Sequence, residues 1–163
     1  MKNQLTTLLP MLRRFAYSLT GSIADADDLV QTTIEKILSR GMPDDAELNK
    51  WAFRVCRNIW IDEYRARKVR SVAAQNPELH QEQTSDNDEN LARQETLNQV
   101  NTAMQTLPND QRSILSLVAV QGLSYKEVAE TLELPLGTVM SRLSRARTAL
   151  LKIVKSQQGG IFA

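Results

Sequence analysis

The 163-residue chain has one cysteine, Cys56, and one histidine, His80. An internal disulfide is therefore excluded, as is a zinc site built from clustered Cys and His. Cys56 is left to fill core space, and His80, in a polar stretch, to be solvated. No apolar run reaches the ~18 residues needed to cross a bilayer, and Met1-Lys2-Asn3-Gln4 opens onto an amphipathic pattern instead of a signal-peptide core. The chain is expected in the cytoplasm, with no membrane insertion of its own. It also lacks a Gly-rich phosphate loop, a His/Asp/Glu cluster at ligand spacing and a nucleophile–base pair. These absences argue against an enzyme and call for neither a metal nor a cofactor. No strand candidate exceeds a few residues, and there is no internal repeat.

With 42% hydrophobic and 24% charged residues, the composition fits one globular domain or two small ones. The formal net charge is only +1, but the charges are unevenly placed. Arg54, Arg57, Arg65, Arg67, Lys68 and Arg70 form one basic cluster, and Arg142, Arg145, Arg147, Lys152 and Lys155 a second with no acid inside it. Asp25, Asp27 and Asp28 lie before them, and Glu78, Glu82, Asp86, Asp88 and Glu89 between them. One basic run reads as a solvated helix face; two flanking an acidic segment point to nucleic acid.

Leu5, Leu8, Leu9, Leu12, Phe15, Ala16 and Leu19 recur at spacings of three and four, the apolar face of a helix ending near Gly21. A second helix is expected from about Asp25 to Ser39, burying Leu29, Val30, Ile34, Ile37 and Leu38. Gly41-Met42-Pro43-Asp44-Asp45 breaks it. A third should run from about Glu47 to Lys68 with Trp51, Val55, Ile59 and Trp60 inward. Both tryptophans fit helical spacing better as core than as stacking platforms. From Ser71 to about Asn90 the pattern fades into the composition of a linker. Further helices are expected over about 91–107, 110–121, 125–132 and 136–155. The fold class is all-α: an N-terminal helical bundle over 1–70, a flexible linker over 71–90, a C-terminal helix-turn-helix domain over 91–155 and a tail over 156–163.

The sharpest local signal is Ser124-Tyr125-Lys126-Glu127, a capping box that starts a helix. Glu133-Leu134-Pro135-Leu136-Gly137 then interrupts the pattern, and the next helix begins by Thr138-Val139. On that second helix Val139, Leu143, Ala146 and Leu150 form an inward stripe. Ser141, Ser144, Arg145 and Thr148 lie opposite, with Arg142 and Arg147 on the shoulders. Small polar residues beside an Arg suit a helix in the major groove, where bulk would hold it off the base edges.

The block LPNDQRSILSLVAVQGLSYKEVAETLELPLGTVMSRLSRARTALLK resembles the second DNA-binding domain of extracytoplasmic-function sigma factors. DADDLVQTTIEKI followed by NKWAFRVCRNIWIDEYRARK resembles their first. The resemblance implies docking on the clamp helices of the largest subunit of core RNA polymerase through Asp28, Leu29, Gln31 and Glu35. It implies melting and reading of the minus-ten element by Arg54, Asn58, Asp62 and Arg65, with the loop from Met42 to Asn49. It also implies reading of the minus-thirty-five element as duplex, with Ser141, Ser144 and Arg145 at the bases and Gly137 and Thr138 on phosphates. An anti-sigma factor is implied as a further partner.

A linker of ~20 residues at ~3.3 Å each reaches roughly 66 Å, close to two turns of duplex at ~34 Å, so one chain can hold both elements. Three residues depart from the pattern. Thr32 stands where many relatives carry a glutamate, and Met140 where basic residues are frequent. Glu133 stands where turns commonly have Gly, so a left-handed backbone there would cost about 1 kcal/mol. Two rival readings are a free-standing helix-turn-helix regulator that binds operators as a dimer, and an all-helical enzyme.

Overall fold

The computed structural model describes residues 2–64, 66 and 88–162. Helices α1 (Lys2–Thr20), α2 (Ile23–Arg40) and α3 (Leu48–Ile59) come first, and α3 passes into a π-helical turn, Trp60–Tyr64. Then follow α4 (Asp88–Gln105), α5 (Asn109–Ala119), α6 (Tyr125–Leu132) and α7 (Leu136–Phe162). Among the described residues there is no strand. Arg65, Arg67, Lys68, Arg70, His80 and the linker residues 71–87 lie outside them.

The periodicity of α1 becomes its packing: Leu8, Leu12, Phe15, Ala16 and Leu19 are buried. Leu9, expected on that face, is 39% exposed, because it lies just beyond the edge of the stripe. Gly21 ends α1 at φ +75°, and its N–H donates to Tyr17 O at 2.8 Å. A Cβ there would also stand 2.9 Å from the Gln105 side chain, so glycine is needed for both backbone and space. Ser22 then caps α2, its Oγ accepting from the Asp25 amide at 3.2 Å, which starts the helix two residues earlier than expected.

Helix α2 packs along α1 and buries Ala26, Leu29, Val30, Thr33 and Ile37. Ile34 is only half-buried and Leu38 is 59% exposed, which corrects the expected core. Helix α3 closes this unit with Ala52, Phe53, Cys56 and Ile59, while Trp51 and Val55 are half-buried at its edge. Phe53 meets Phe15 edge-to-face at 5.3 Å, and each such buried side chain contributes roughly 1.5–3 kcal/mol. The third helix was expected unbroken; a π turn over Trp60–Tyr64 widens it after Ile59.

In the second unit, Ile114, Leu117, Val128, Val139, Leu143 and Ala146 are buried where α5, α6 and α7 meet. Helix α7 runs past Lys155 to Phe162, so residues 156–162 continue the helix that was expected to give way to a tail. The two units are in contact. Helix α1 packs on α4 and α5, α3 packs on α6, and one apolar cluster spans both.

Arg112 joins them from inside. Its guanidinium donates to Leu19 O at 2.8 Å, to Leu107 O at 2.9 Å, and to Gln105 O and Oε1 at 2.8 and 3.0 Å. It also lies 5.1 Å from the centre of the buried Trp60 ring, a cation–π contact. Burial pulls its pKa down to about 10, which still leaves it charged at neutral pH. Three of its acceptors are backbone carbonyls near the ends of α1 and α4, groups that have few other partners at helix C-termini.

Candidate nucleic-acid interface

The helix-turn-helix is built from local chemistry. Ser124 Oγ accepts from Glu127 N at 3.0 Å while Ser124 N donates to Glu127 Oε1 at 2.8 Å, so the capping box is complete. These bonds hold the Glu127 carboxyl below the usual carboxylate range. At the far end, Glu133 takes φ 56°, ψ 49°, and Leu134 N donates back to Ala129 O at 3.0 Å. This is the Schellman closure, usually made with glycine. Pro135 O then accepts from Thr138 N at 3.0 Å and Val139 N at 3.1 Å, opening α7.

On α7, Val139, Leu143 and Ala146 are buried and Leu150 is half-buried. Gly137, Met140, Ser141, Ser144, Arg145, Arg147 and Thr148 are exposed, and Thr138 and Arg142 are half-buried. A Cβ on Gly137 would meet nothing within 4 Å. Arg147 donates to the Tyr125 hydroxyl at 3.3 Å, which holds it to the side of the exposed Ser141, Ser144 and Arg145.

In the first unit, Asp28, Gln31 and Glu35 are exposed on one face of α2, and Gln31 Nε2 donates to Glu35 Oε2 at 3.4 Å. Leu29 does not share that face. It is fully buried and supports the helix from behind, which corrects its placement among surface contacts. The exposed Leu38 lies about one turn beyond Glu35 and two beyond Gln31, near the same face. Thr32 donates its hydroxyl to Asp28 O at 2.9 Å, so it faces its own helix.

Arg54, Asn58 and Asp62 come together along one cleft of about 220 Å³, shared with Trp51 and with Lys36 and Arg40 of α2. The last two were missed because pairing between helices carries no sequence spacing. The Arg54 guanidinium sits 5.3 Å from the centre of the Trp51 ring. Arg65 lies outside the described residues.

A row of cations on α3 meets acids of the second unit. Arg54 Nη2 donates to Glu133 Oε1 at 2.8 Å, and Arg57 Nη2 to Asp110 Oδ1 at 2.7 Å. Arg142 Nη1 lies 3.1 Å from the other Asp110 oxygen. Lys50 Nζ lies 3.1 Å from Glu47, 3.7 Å from Glu130 and 3.9 Å from Glu127. The bond to Glu47 raises the Lys50 pKa, whereas desolvation lowers that of Arg57 against the pull of Asp110. Arg57 also donates to Ser113 Oγ at 2.9 Å. The sequence marked Arg57 only as one of a basic cluster.

Known proteins resemble this chain in sequence and in fold. Residues 97–150 match the family described as Sigma-70, region 4, and residues 5–56 the Sigma2 domain of PhyR. The ECF RNA polymerase sigma factor EcfG of Rhodopseudomonas palustris (strain TIE-1) is 32% identical over 152 residues, covering 92% of this chain and 82% of its own. SigL of Mycobacterium tuberculosis (strain H37Rv) is 33% identical over 148 residues, covering 86% and 80%. Among solved structures, the sigma factor RpoE of Bartonella quintana, in complex with the anti-sigma factor NepR, superposes with a TM-score of 0.72 at 30% identity over 94% of this chain and 96% of its own. Nothing here supports a free-standing operator-binding regulator. The chain belongs to the extracytoplasmic-function RNA polymerase sigma factors, which direct promoter-specific initiation of transcription.

Proposed function

We propose that the two units divide promoter recognition, the first over 1–70 and the second over 91–155, with a linker over 71–90 and a tail over 156–163, of which residues 156–162 continue α7. The observation that carries this reading is the outer face of α7, where Ser141, Ser144 and Arg145 are exposed opposite the buried Val139, Leu143 and Ala146. Small hydroxyls let a helix sink into the major groove, and an arginine there can bond a guanine twice. Arg142 and Arg147 hold phosphates on either side. The open space around Gly137 suits close approach of a phosphate to the first turn of α7, supported by the amide of Thr138.

In the first unit, Arg54, Asn58, Asp62 and Arg65 hold the melted minus-ten strand, with Trp51, Lys36 and Arg40 lining the same cleft. Basic side chains beside an aromatic ring suit an unstacked base and its phosphates. Asp28, Gln31 and Glu35, with the exposed Leu38, form the face of α2 that docks on the clamp helices of core RNA polymerase: polar groups around an apolar residue that can be buried at a partner surface. An anti-sigma factor, such as the one bound to the Bartonella relative, is the partner that keeps the protein from polymerase. The site of action is the cytoplasm; among the described residues no helix is long and apolar enough to cross a membrane.

Run-off transcription with core polymerase on a promoter library tests this. Initiation from a subset of promoters sharing two elements about two turns apart is expected. Asp28→Ala with Gln31→Ala should weaken core binding in a pull-down titration without unfolding the protein. Silence on every promoter, with core binding intact, would remove the division of labour.

A further inference from the structure

Helix α7 turns a row of side chains outward, opposite its buried Val139, Leu143 and Ala146. At ~100° per residue they follow one another round the helix as Met140, Ser144, Ser141 and Arg145, which puts Met140 and Arg145 on opposite shoulders about 140° apart. All four are exposed. Met140 is the large apolar member of the row and leaves 49% of its surface open; Leu136, one turn earlier on the same shoulder, leaves 47%. The other close neighbours of Met140 along the helix, Gly137 and Ser144, carry little or no bulk, and a Cβ on Gly137 would meet nothing within 4 Å. The thioether therefore borders open space on the side of α7 that a duplex would occupy.

We infer that Met140 is a specificity-determining residue of α7: its thioether contacts the C5 methyl of a thymine in the major groove and so selects one A·T pair. This role rests on the assignment of α7 to the upstream promoter element and adds a kind of base contact that Ser141, Ser144 and Arg145 do not make. Methionine has no charge with which to hold a phosphate and no N–H or O–H to offer a base edge. What it offers is a flexible, polarizable apolar arm. The apolar group that the major groove presents is the thymine methyl. An exposed methionine gains from burying its surface against that methyl, and gains less from the polar edge of a G·C pair.

The two shoulders of α7 then read different chemistry. Arg145 bonds the acceptors of a guanine on one side and Met140 meets a methyl on the other, with Ser141 and Ser144 low enough between them to let the helix sink. Arg145 lies five positions after Met140, about 7.5 Å along the axis. For a helix lying along the groove that is about two base steps of ~3.4 Å, and the selected thymine is expected about that far from the guanine. Arg147, two turns beyond Met140 on the same shoulder, is tied to the Tyr125 hydroxyl at 3.3 Å. It stays with the phosphates and leaves the base edge to Met140.

The experiment uses holoenzyme assembled from core polymerase and the full chain, on a promoter from which the wild type initiates. Each thymine of the upstream element, on either strand, is replaced singly by deoxyuridine, which deletes the C5 methyl and keeps the base pair. Wild-type holoenzyme should lose about four-fold in promoter affinity at one thymine, the effect of withdrawing one apolar carbon from contact. Met140→Ala should lose a similar amount on the unmodified promoter and nothing more on the deoxyuridine one. Arg145→Ala should lose affinity yet stay sensitive to the methyl, and Met140→Leu, which keeps an apolar arm, should retain part of that sensitivity. Circular dichroism melts check the fold; if Met140→Ala melts early, Met140→Gln, which keeps the length and removes the apolar end, takes its place. An upstream element in which no thymine methyl matters, or losses from Met140→Ala and deoxyuridine that simply add, overturn the methyl contact. Equal losses on every promoter together with weaker core binding overturn it in favour of a protein partner at this shoulder. If base-pair changes throughout the upstream element leave wild-type initiation untouched, the assignment of α7 to duplex falls, and the methyl contact with it.

Discussion

Glu133 accepts a bond from Arg54 at 2.8 Å across the two units, from a backbone position with φ 56° that glycine usually fills. The turn therefore carries a strained residue whose side chain has a use elsewhere. The strain of a Cβ in the left-handed region is about 1 kcal/mol, and a half-exposed ion pair contributes only ~0.2–1 kcal/mol.

Two substitutions separate these quantities. Glu133→Gly loses the pair and relieves the strain, so its melting temperature should be equal to or slightly above that of the wild type. Glu133→Ala loses the pair and keeps the strain, and should melt about 2–4 °C below Glu133→Gly, the shift for ~1 kcal/mol in a chain of this size. Calorimetry on the three proteins decides it; equal melting of Ala and Gly variants would show the turn to be unstrained.

Arg112 is the buried link between the units. Arg112→Met leaves the carbonyls of Leu19, Gln105 and Leu107 without this donor, and should lower stability by roughly 2–3 kcal/mol, since bonds to charged groups are worth more than neutral ones. Arg112→Lys should not restore it, because an ammonium cannot reproduce the planar fork. Urea titrations of both variants check this, and a wild-type midpoint in either would make the link dispensable.

What could be read in the sequence depended on how local its cause was. Helix α6 has the expected bounds, Tyr125 to Leu132, because a capping box and a Schellman turn are decided within a few residues. The Val139, Leu143, Ala146 stripe also held, since one helical face needs only periodicity. The same periodicity overstated the core at Leu9 and Leu38, because it marks a stripe but not how much of it a neighbour covers. It gave no sign of Ala52 and Phe53 as core, or of the π turn after Ile59. Arg57 with Asp110, Arg54 with Glu133 and Arg112 with Leu19 O join residues 53, 79 and 93 positions apart. No spacing rule reaches such pairs, so the contact between the units was invisible while each unit was legible.

The capping box also sets a pH dependence. The amide bond from Ser124 depresses the Glu127 pKa, so the folded value lies below the unfolded one of ~4.3. A depressed carboxylate adds stability that is fully present above the unfolded pKa and is lost as pH falls through the folded pKa. The gap in melting temperature between wild type and Glu127→Ala should be constant from pH 7 to about pH 5 and shrink on further acidification. A gap that stays the same down to pH 3 would show that the charge of Glu127 does not matter to the box.

Arg145 should carry direct base readout while Arg142 and Arg147 mainly hold phosphates. Arg147 is drawn aside by the Tyr125 hydroxyl and Arg142 by Asp110, whereas Arg145 stands on the exposed face beside Ser144, opposite the buried stripe. Losing a base-reading arginine should cost roughly 1–3 kcal/mol and relax preference at one or two base pairs. Losing a phosphate contact weakens all sequences alike and lowers the salt slope by about 1. Holoenzymes carrying Arg145→Ala or Arg147→Ala, assayed on a panel of single-base promoter variants at two salt concentrations, separate the two roles. The Arg145 variant should flatten the response at one or two positions, and the Arg147 variant should shift the whole panel together. A uniform loss with Arg145→Ala would show that it only positions the helix, and specificity would pass to Ser141, Ser144 or the exposed Met140.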